Sequence, residues 1–107
     1  MTTIKIKDKD YNLRLNAKAC VELERKLGKN PLNVFISADG MPLFEDMIKV
    51  FHSSLTEFQH GITLDNAYEL FDEYCEEGGD IAKFTVLITD IFRDAGFIPK
   101  ENENAKN

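Results

Sequence analysis

One carboxylate lies on the apolar face of the first predicted helix, where it could act as an acid or as a ligand. At about 100° per residue, Glu24 falls between Cys20 and Leu27 on the helix predicted over residues 17–27. A catalytic carboxylate usually needs a second titrating group or a nucleophile within reach, and none is evident. Glu24 instead precedes Asn30-Pro31-Leu32, where a helical turn with free N–H groups is predicted. We therefore predict a structural role, in which Glu24 accepts these N–H groups and fastens the helix to the turn.

The other residues that could support catalysis or metal binding form no known pattern. His52 and His60 offer no ligand spacing for zinc, which needs three or four convergent ligands, and both are predicted at the surface. Cys20 and Cys75 lack CxxC spacing and are predicted to be buried, reduced thiols. Gly78-Gly79-Asp80 precedes a helix start, but Asp80 would repel a phosphate there. With GxGxxG, GxxxxGK[ST], GxSxG and HExxH also absent, we predict no catalytic residue, metal or cofactor, and therefore no enzyme.

The charge of the chain is unevenly distributed. The 107 residues have a net charge of −6, yet residues 1–29 carry eight basic and only four acidic side chains. Residues 50–82 carry eight acidic side chains and neither Lys nor Arg. A nucleic-acid binder normally presents a dominant basic surface, so nucleic acid is not predicted as a partner. The two oppositely charged blocks could instead attract each other between subunits and form a head-to-tail homo-oligomer.

The sequence predicts neither a signal peptide nor a membrane span. Residues 1–7, MTTIKIK, alternate in polarity and lack the apolar centre of a signal peptide. No apolar run approaches the length needed to cross a bilayer. The length fits a single domain, which we place over residues 1–98. Residues 99–107 are polar and are predicted to be a disordered tail.

The apolar pattern predicts a mainly α fold of the α+β class, in which an N-terminal β-hairpin packs on a small bundle of about four α-helices. Apolar side chains alternate on both sides of Asp8-Lys9-Asp10, which indicates a hairpin over residues 3–15 with its turn at these residues. A lone hairpin is marginal in water, so its apolar face should pack on helices. The first helix, over 17–27, is expected between Asn16 as N-cap and Gly28 as C′ residue.

Three further helices are predicted from apolar stripes at helical spacing. Before them, a short turn is expected from Pro31 and a loop over 37–40. The helices span about 42–58, 64–77 and 81–95, and they start at Pro42 or after the caps Thr63 and Asp80. Each has one apolar stripe, as expected for helices that pack on one another.

Two surfaces are candidates for binding another protein. The helix over 42–58 has a wide Met/Phe stripe, and its candidate partner-binding residues are Leu43, Met47, Val50 and Phe51. The polar half of the helix over 64–77 is a candidate docking face formed by Asp65, Glu69, Asp72, Glu73 and Glu76. The apolar residues could instead belong to the core, and the acidic residues could simply keep the protein soluble. Calcium explains the acidic residues less well, because the loop pattern of an EF-hand is absent.

The order of these elements resembles that of a known family. The segment KIKDKDYNLRLNAKACVELERKLGKNPLNVF leads from the hairpin to a helix with Leu23-Glu24 and a Pro-Leu restart. A Met/Phe-rich helix, the segment TLDNAYELFDEY, Gly78-Gly79, a last helix and the segment DAGF follow. Over residues 4–98 this pattern resembles the small tail assembly chaperones of long-tailed bacteriophages, which also occur in prophages of Gram-positive bacteria.

The resemblance implies a non-enzymatic protein of the host-cell cytoplasm. Such chaperones bind the tape-measure protein, keep its long apolar helices soluble and help to recruit tail-tube subunits. They often occur in two lengths through ribosomal frameshifting, and the polar end Lys106-Asn107 is compatible with the shorter form.

The acidic composition supports an alternative, a regulatory or inhibitory protein that mimics nucleic acid and binds a basic partner. The two hypotheses predict different responses to salt. High salt should abolish the binding of a nucleic-acid mimic, whereas an apolar contact with a tape-measure protein should survive it.

Overall fold

The computed structural model describes residues 1–35 and 41–99, and its fold is a two-stranded antiparallel hairpin followed by helices. Its elements are β1 (Thr2–Ile6), β2 (Lys9–Leu13), α1 (Ala17–Leu27), a 3₁₀ helix (Pro31–Phe35), α2 (Phe44–Leu55), α3 (Leu64–Glu76) and α4 (Ile81–Asp94). The predicted fold class is confirmed. The loop predicted over 37–40 and the tail predicted over 99–107, apart from Pro99, lie outside the described residues.

Side-chain caps fix the starts of three helices at the predicted residues. Asn16, Thr63 and Asp80 each accept the backbone N–H of the residue three positions later, at 2.8–3.0 Å. The second long helix is shorter than the predicted 42–58, because α2 begins after Leu43, which provides no side-chain cap. Residues 56–58 then form a turn. Within the described ranges, no helix is long and apolar enough to cross a membrane.

The hairpin turn is shorter and begins one residue earlier than predicted. Only Lys7 and Asp8 join the two strands, and their φ angles are 49° and 64°. Positive φ at both central residues is typical of a type I′ turn, whose twist matches that of the strands. Lys9 and Asp10, which the sequence predicts in the turn, belong to β2.

We expect Asp8→Gly to stabilise the protein, because glycine adopts a positive φ without the steric cost borne by other residues. The free energy of unfolding, measured by urea denaturation, should rise by about 0.3–1 kcal/mol. Asp10→Gly is the matched control, since it removes the same charge but places glycine inside β2, where it should destabilise. A lower urea midpoint for Asp8→Gly than for the unchanged protein would contradict this assignment of the turn.

One apolar core joins the hairpin to all the helices. Each described element contributes a buried side chain, including Ile6, Leu13, Leu23, Val34, Phe51, Ala67 and Phe84. α2 is central, because it contacts α1, α3, α4 and β2. A helix with neighbours on so many sides is buried around most of its circumference. Most of its apolar stripe is therefore used in the core and is not available to a partner protein.

Polar contacts tie both ends of the hairpin to helices. At the turn, the Lys7 ammonium lies 3.1 Å from the Glu76 carboxylate, and the Lys7 backbone N–H donates to Glu77 at 2.5 Å. The hydrogen bond to Glu76 raises the pKa of Lys7. At the other end, the Thr2 hydroxyl donates to Asp94 of α4. Some of the opposite charges expected to meet between subunits are therefore paired within one chain.

Candidate functional site

Five aromatic side chains form a cluster where α2, α3 and α4 meet. They are Phe44 and Phe51 of α2, Phe71 and Tyr74 of α3, and Phe84 of α4. The Phe84 ring is buried, and its centroid lies 4.8–6.4 Å from the centroids of the other four rings. The Phe71 ring packs edge to face against both Phe44 and Phe84, a favoured aromatic geometry. This aromatic cluster holds the three helices together.

Four large apolar side chains, namely the cluster member Phe44 and three others from the same helices or their ends, are exposed to solvent. They are Leu43 (59% exposed), Phe44 (39%), Tyr68 (36%) and Ile81 (45%). Leu43 directly precedes Phe44, while Tyr68 and Ile81 lie one helical turn before the cluster members Phe71 and Phe84. We call these four side chains the apolar patch. Grouped apolar side chains at a surface are typical of binding sites, whereas isolated ones are common everywhere.

Three of the four predicted apolar binding residues are core residues. Met47, Val50 and Phe51 are at most 2% exposed, because α2 packs on β2 and on three helices. Only Leu43 of that set lies at the surface. Helical spacing also gives no sign that Tyr68 and Ile81 are exposed, because their positions continue the inward stripes of α3 and α4. Helical spacing shows which face is apolar, but it does not show how many neighbours cover that face.

The predicted acidic residues of α3 differ in their partners. Glu76 pairs with Lys7, and Glu73 is half-buried in a groove that Tyr11 of the hairpin also lines. Asp65 and Asp72 are exposed and lie nearer to Tyr68 around the helix. Neither makes an ion pair or a side-chain hydrogen bond with any described residue. We call Asp65 and Asp72 the acidic flank.

The described surface includes shallow grooves of a size that could hold a small ligand. One, of about 310 Å³, lies between the hairpin and α3 and is lined by Tyr11, Glu69 and Glu73. Another, of about 340 Å³, lies between α1 and the end of α2 and includes Glu57 and His60. Over residues 1–35 and 41–99, no three His, Cys, Asp or Glu side chains are grouped closely enough to hold a metal ion.

Glu24 does not have the predicted structural role. Its carboxylate is exposed and makes no hydrogen bond within the described part of the chain. Asn30 caps the 3₁₀ helix instead, because its side chain accepts the N–H of Leu32 at 3.0 Å. The turn is then joined to α2 by Lys29, whose ammonium lies 2.7 Å from the Asp46 carboxylate. Asn30, which is next to the turn, thus provides the cap that the sequence predicts for the more distant Glu24.

The comparison with known families matches the whole chain. The sequence profile of DUF6096, a family of unknown function, covers residues 1–107. The chain belongs to the DUF6096 family. Neither the curated proteins nor the solved structures gave a match. For this DUF6096 chain, function is therefore argued from its surfaces.

The cysteines of the DUF6096 chain differ in exposure. Cys20 is half-buried, its thiol lies 3.7 Å from the Leu15 carbonyl, and burial raises the pKa of Cys20. Cys75 is exposed on α3, so the prediction of two buried thiols is wrong for this residue. It occupies the boundary between the apolar and polar halves of α3, where spacing alone does not decide burial.

His52 of the DUF6096 chain is half-buried and links neighbouring segments, whereas the sequence predicts it at the surface. Its Nε2 lies 2.9 Å from the carbonyl oxygen of Ile62, and its Nδ1 lies 2.8 Å from the Lys26 ammonium. Because the carbonyl can only accept, Nε2 carries the hydrogen and Nδ1 accepts from Lys26. Burial lowers the pKa of His52, and the Lys26 charge lowers it further, although the bond to Ile62 opposes them. The neutral ring thereby joins α1, α2 and the segment before α3.

We expect part of the free energy of unfolding to be lost as the pH falls below about 6.5, the pKa of an unfolded histidine. The folded-state pKa of His52 is lower, so the unfolded chain binds the proton first, and the loss ends once the pH is below both values. The stability difference between the unchanged protein and His52→Gln should therefore shrink as the pH is lowered through this range. His60→Gln, which alters an exposed histidine, is the control. A difference that does not vary with pH would contradict the assignment.

Proposed function

We propose that this protein is a non-enzymatic chaperone for apolar helices, specifically a phage tail assembly chaperone. In this proposal it binds the tape-measure protein in the host-cell cytoplasm and assists tail-tube assembly. The observation that supports a helix-binding role is the apolar patch, where Leu43, Phe44, Tyr68 and Ile81 are exposed beside the aromatic cluster. A group of aromatic and aliphatic anchors suits the apolar face of a partner helix. The identity of the partner is supported by the resemblance of residues 4–98 to tail assembly chaperones.

The apolar patch can bind without rearrangement of the core. Phe44 is held between Phe71 and Phe84, at centroid distances of 4.8 and 6.4 Å. An anchor that is already fixed loses little conformational entropy when a partner covers it. Full burial of a Leu or Ile side chain contributes about 1.5–3 kcal/mol, so covering Leu43 and Ile81 can support a reversible complex. Reversibility suits a chaperone that must release its client during assembly.

The proposal is tested by co-expressing the full chain with the tape-measure protein encoded near its gene. We expect the tape-measure protein to become soluble and to co-purify with the chain at high salt, since salt screens charges but not apolar contacts. Leu43→Ser/Ile81→Ser should reduce the affinity at least about tenfold. Val86→Ser is the matched control, because Val86 is exposed on a different side of α4 from Ile81 and Phe84. A gene neighbourhood without a tape-measure protein, or undiminished binding by the double variant, would refute the proposal.

The acidic flank gives some support to the alternative, an acidic regulatory protein that mimics nucleic acid. Asp65 and Asp72 are exposed and have no cation beside them among the described residues, but Glu76 is already paired with Lys7. The same co-purification separates the two functions. Capture of a basic protein that disappears at high salt and ignores Leu43→Ser/Ile81→Ser would favour the mimic.

A further inference from the structure

We infer that the segment docking on the apolar patch is an amphipathic helix with basic side chains along one flank, and that these side chains contact Asp65 and Asp72. This inference rests on the helix-binding function proposed above and specifies the class of helix that the surface selects. It is carried by the position of the acidic flank beside the apolar patch and by the lack of any ion pair between that flank and the described residues.

The acidic flank borders the apolar patch directly. Phe71 of α3 faces Phe44, with ring centroids 4.8 Å apart. From Phe71, Tyr68 lies about 60° around the helix, and Asp72 and Asp65 follow at about 100° and 120°. A helix that covers Phe44 and Tyr68 therefore has carboxylates along one side of its own axis.

Among the described residues, no Lys or Arg side chain forms an ion pair with the acidic flank. No Lys or Arg occurs between residues 50 and 82. The nearest basic side chains in the sequence have other partners, since Lys49 pairs with Glu45 at 3.1 Å and the Lys83 ammonium donates to the Gly78 carbonyl at 3.1 Å. Lys7 of the hairpin pairs with Glu76 at the end of α3. Glu69 is four residues from Asp65 and three from Asp72, and like charges at these spacings on one helix repel each other. A ligand that brings Lys or Arg to this position removes the repulsion and adds ion pairs.

A second copy of this chain is a poorer occupant. In a two-fold symmetric dimer formed through the apolar patch, the same surface of each subunit faces its copy on the other subunit. Each subunit would then contribute Asp65 and Asp72, and the described residues of neither subunit pair a cation with them. The charge pattern therefore favours a basic helix from a different protein over a symmetric dimer through this face.

The inference is tested with two synthetic helical peptides that share one Leu/Ile face and differ only in the flank, which carries Lys in one and Glu in the other. Each labelled peptide is titrated with the full chain, and fluorescence anisotropy gives the dissociation constant at low and high salt. We expect the Lys peptide to bind about tenfold more tightly at low salt, because only this peptide can form ion pairs with Asp65 and Asp72. High salt should reduce this preference. Equal affinities at low salt would overturn the inference.

Variants of the full chain assign the effect to the named residues. Asp65→Asn/Asp72→Asn should weaken the Lys peptide by roughly threefold to tenfold and should not weaken the Glu peptide. Glu22→Gln/Glu24→Gln is the matched control, because it removes two exposed carboxylates from α1. Leu43→Ser/Ile81→Ser should weaken both peptides. If the two acidic double variants behave alike, the preference reflects overall charge and the inference is wrong.

The inference and the proposed function can fail separately. If the tape-measure protein co-purifies through the apolar patch but both peptides bind equally, the basic flank is wrong and the chaperone function stands. If the Lys peptide binds as expected but the tape-measure protein does not co-purify, the class of helix stands and the proposed partner is wrong. If sedimentation shows that the free chain self-associates and that Leu43→Ser/Ile81→Ser abolishes this, the occupant is a second copy and the inference is overturned.

Discussion

Phe84→Ala is expected to lower the free energy of unfolding by about 3–5 kcal/mol. The Phe84 side chain is 1% exposed and contacts rings from both α2 and α3. Truncation removes its buried surface and its edge-to-face contacts, and it leaves a cavity that close-packed helices fill only in part. Because Phe84 also supports Phe44, the same change should disturb the apolar patch.

The size of this effect is large for so short a chain. A domain of this length has a total stability of only about 5–10 kcal/mol, so Phe84→Ala should be close to unfolding at moderate temperature. Urea denaturation followed by circular dichroism measures the change. Val86→Ala is the matched control on α4, because Val86 is 61% exposed, and its effect should stay within about 0.5 kcal/mol. Similar losses for the two variants would contradict the central position of Phe84.

Gly79→Ala is expected to destabilise the protein by about 1–3 kcal/mol. A Cβ atom at Gly79 would lie only 2.5–2.6 Å from three ring atoms of Tyr74. To make room, the ring would have to shift within the aromatic cluster, where its centroid lies 6.2 Å from those of Phe71 and Phe84. The backbone is also fixed, since the Gly79 N–H donates to the Tyr74 carbonyl at 2.9 Å. Gly79 is thus required for close approach between the α3–α4 turn and the aromatic cluster.

A double-mutant cycle tests this explanation of Gly79. In a Tyr74→Ala background the clash is absent, so Gly79→Ala should then change the urea-derived stability by no more than about 0.5 kcal/mol. The coupling between the two substitutions measures the contact itself. If Gly79→Ala costs the same with and without the Tyr74 ring, another feature of the turn is responsible.

The features that depend on neighbouring residues in the sequence are predicted well. The caps Asn16, Thr63 and Asp80 are correct, because a cap is a hydrogen bond between residues three positions apart. The hairpin and the order of the helices also follow from periodicity within each segment. The position of the turn is harder to predict, because Asp8, Lys9 and Asp10 are all polar. Strand twist and register decide which of them form the turn.

The features that depend on distant parts of the chain are not predictable from spacing alone. By helical spacing alone, Met47 and Val50 cannot be distinguished from apolar residues at a surface. They are buried because α2 packs on four other elements. Ile81 is the opposite case. It lies on the inward-facing stripe of α4, yet it remains exposed because the bundle ends before covering it. The sequence predicts for Glu24 a role that Asn30 performs, because either side chain could in principle reach the same N–H groups.

The two strands of the hairpin pair only with each other within the described chain, so each has an edge without a strand partner. Open edges of this kind promote pairing between molecules and, from there, aggregation. Exposed lysines are found on both sides of the turn, with Lys5 in β1 and Lys9 in β2. If two molecules approached edge to edge, these ammonium groups would repel each other. We therefore expect the exposed lysines of the hairpin to disfavour edge-to-edge association between molecules.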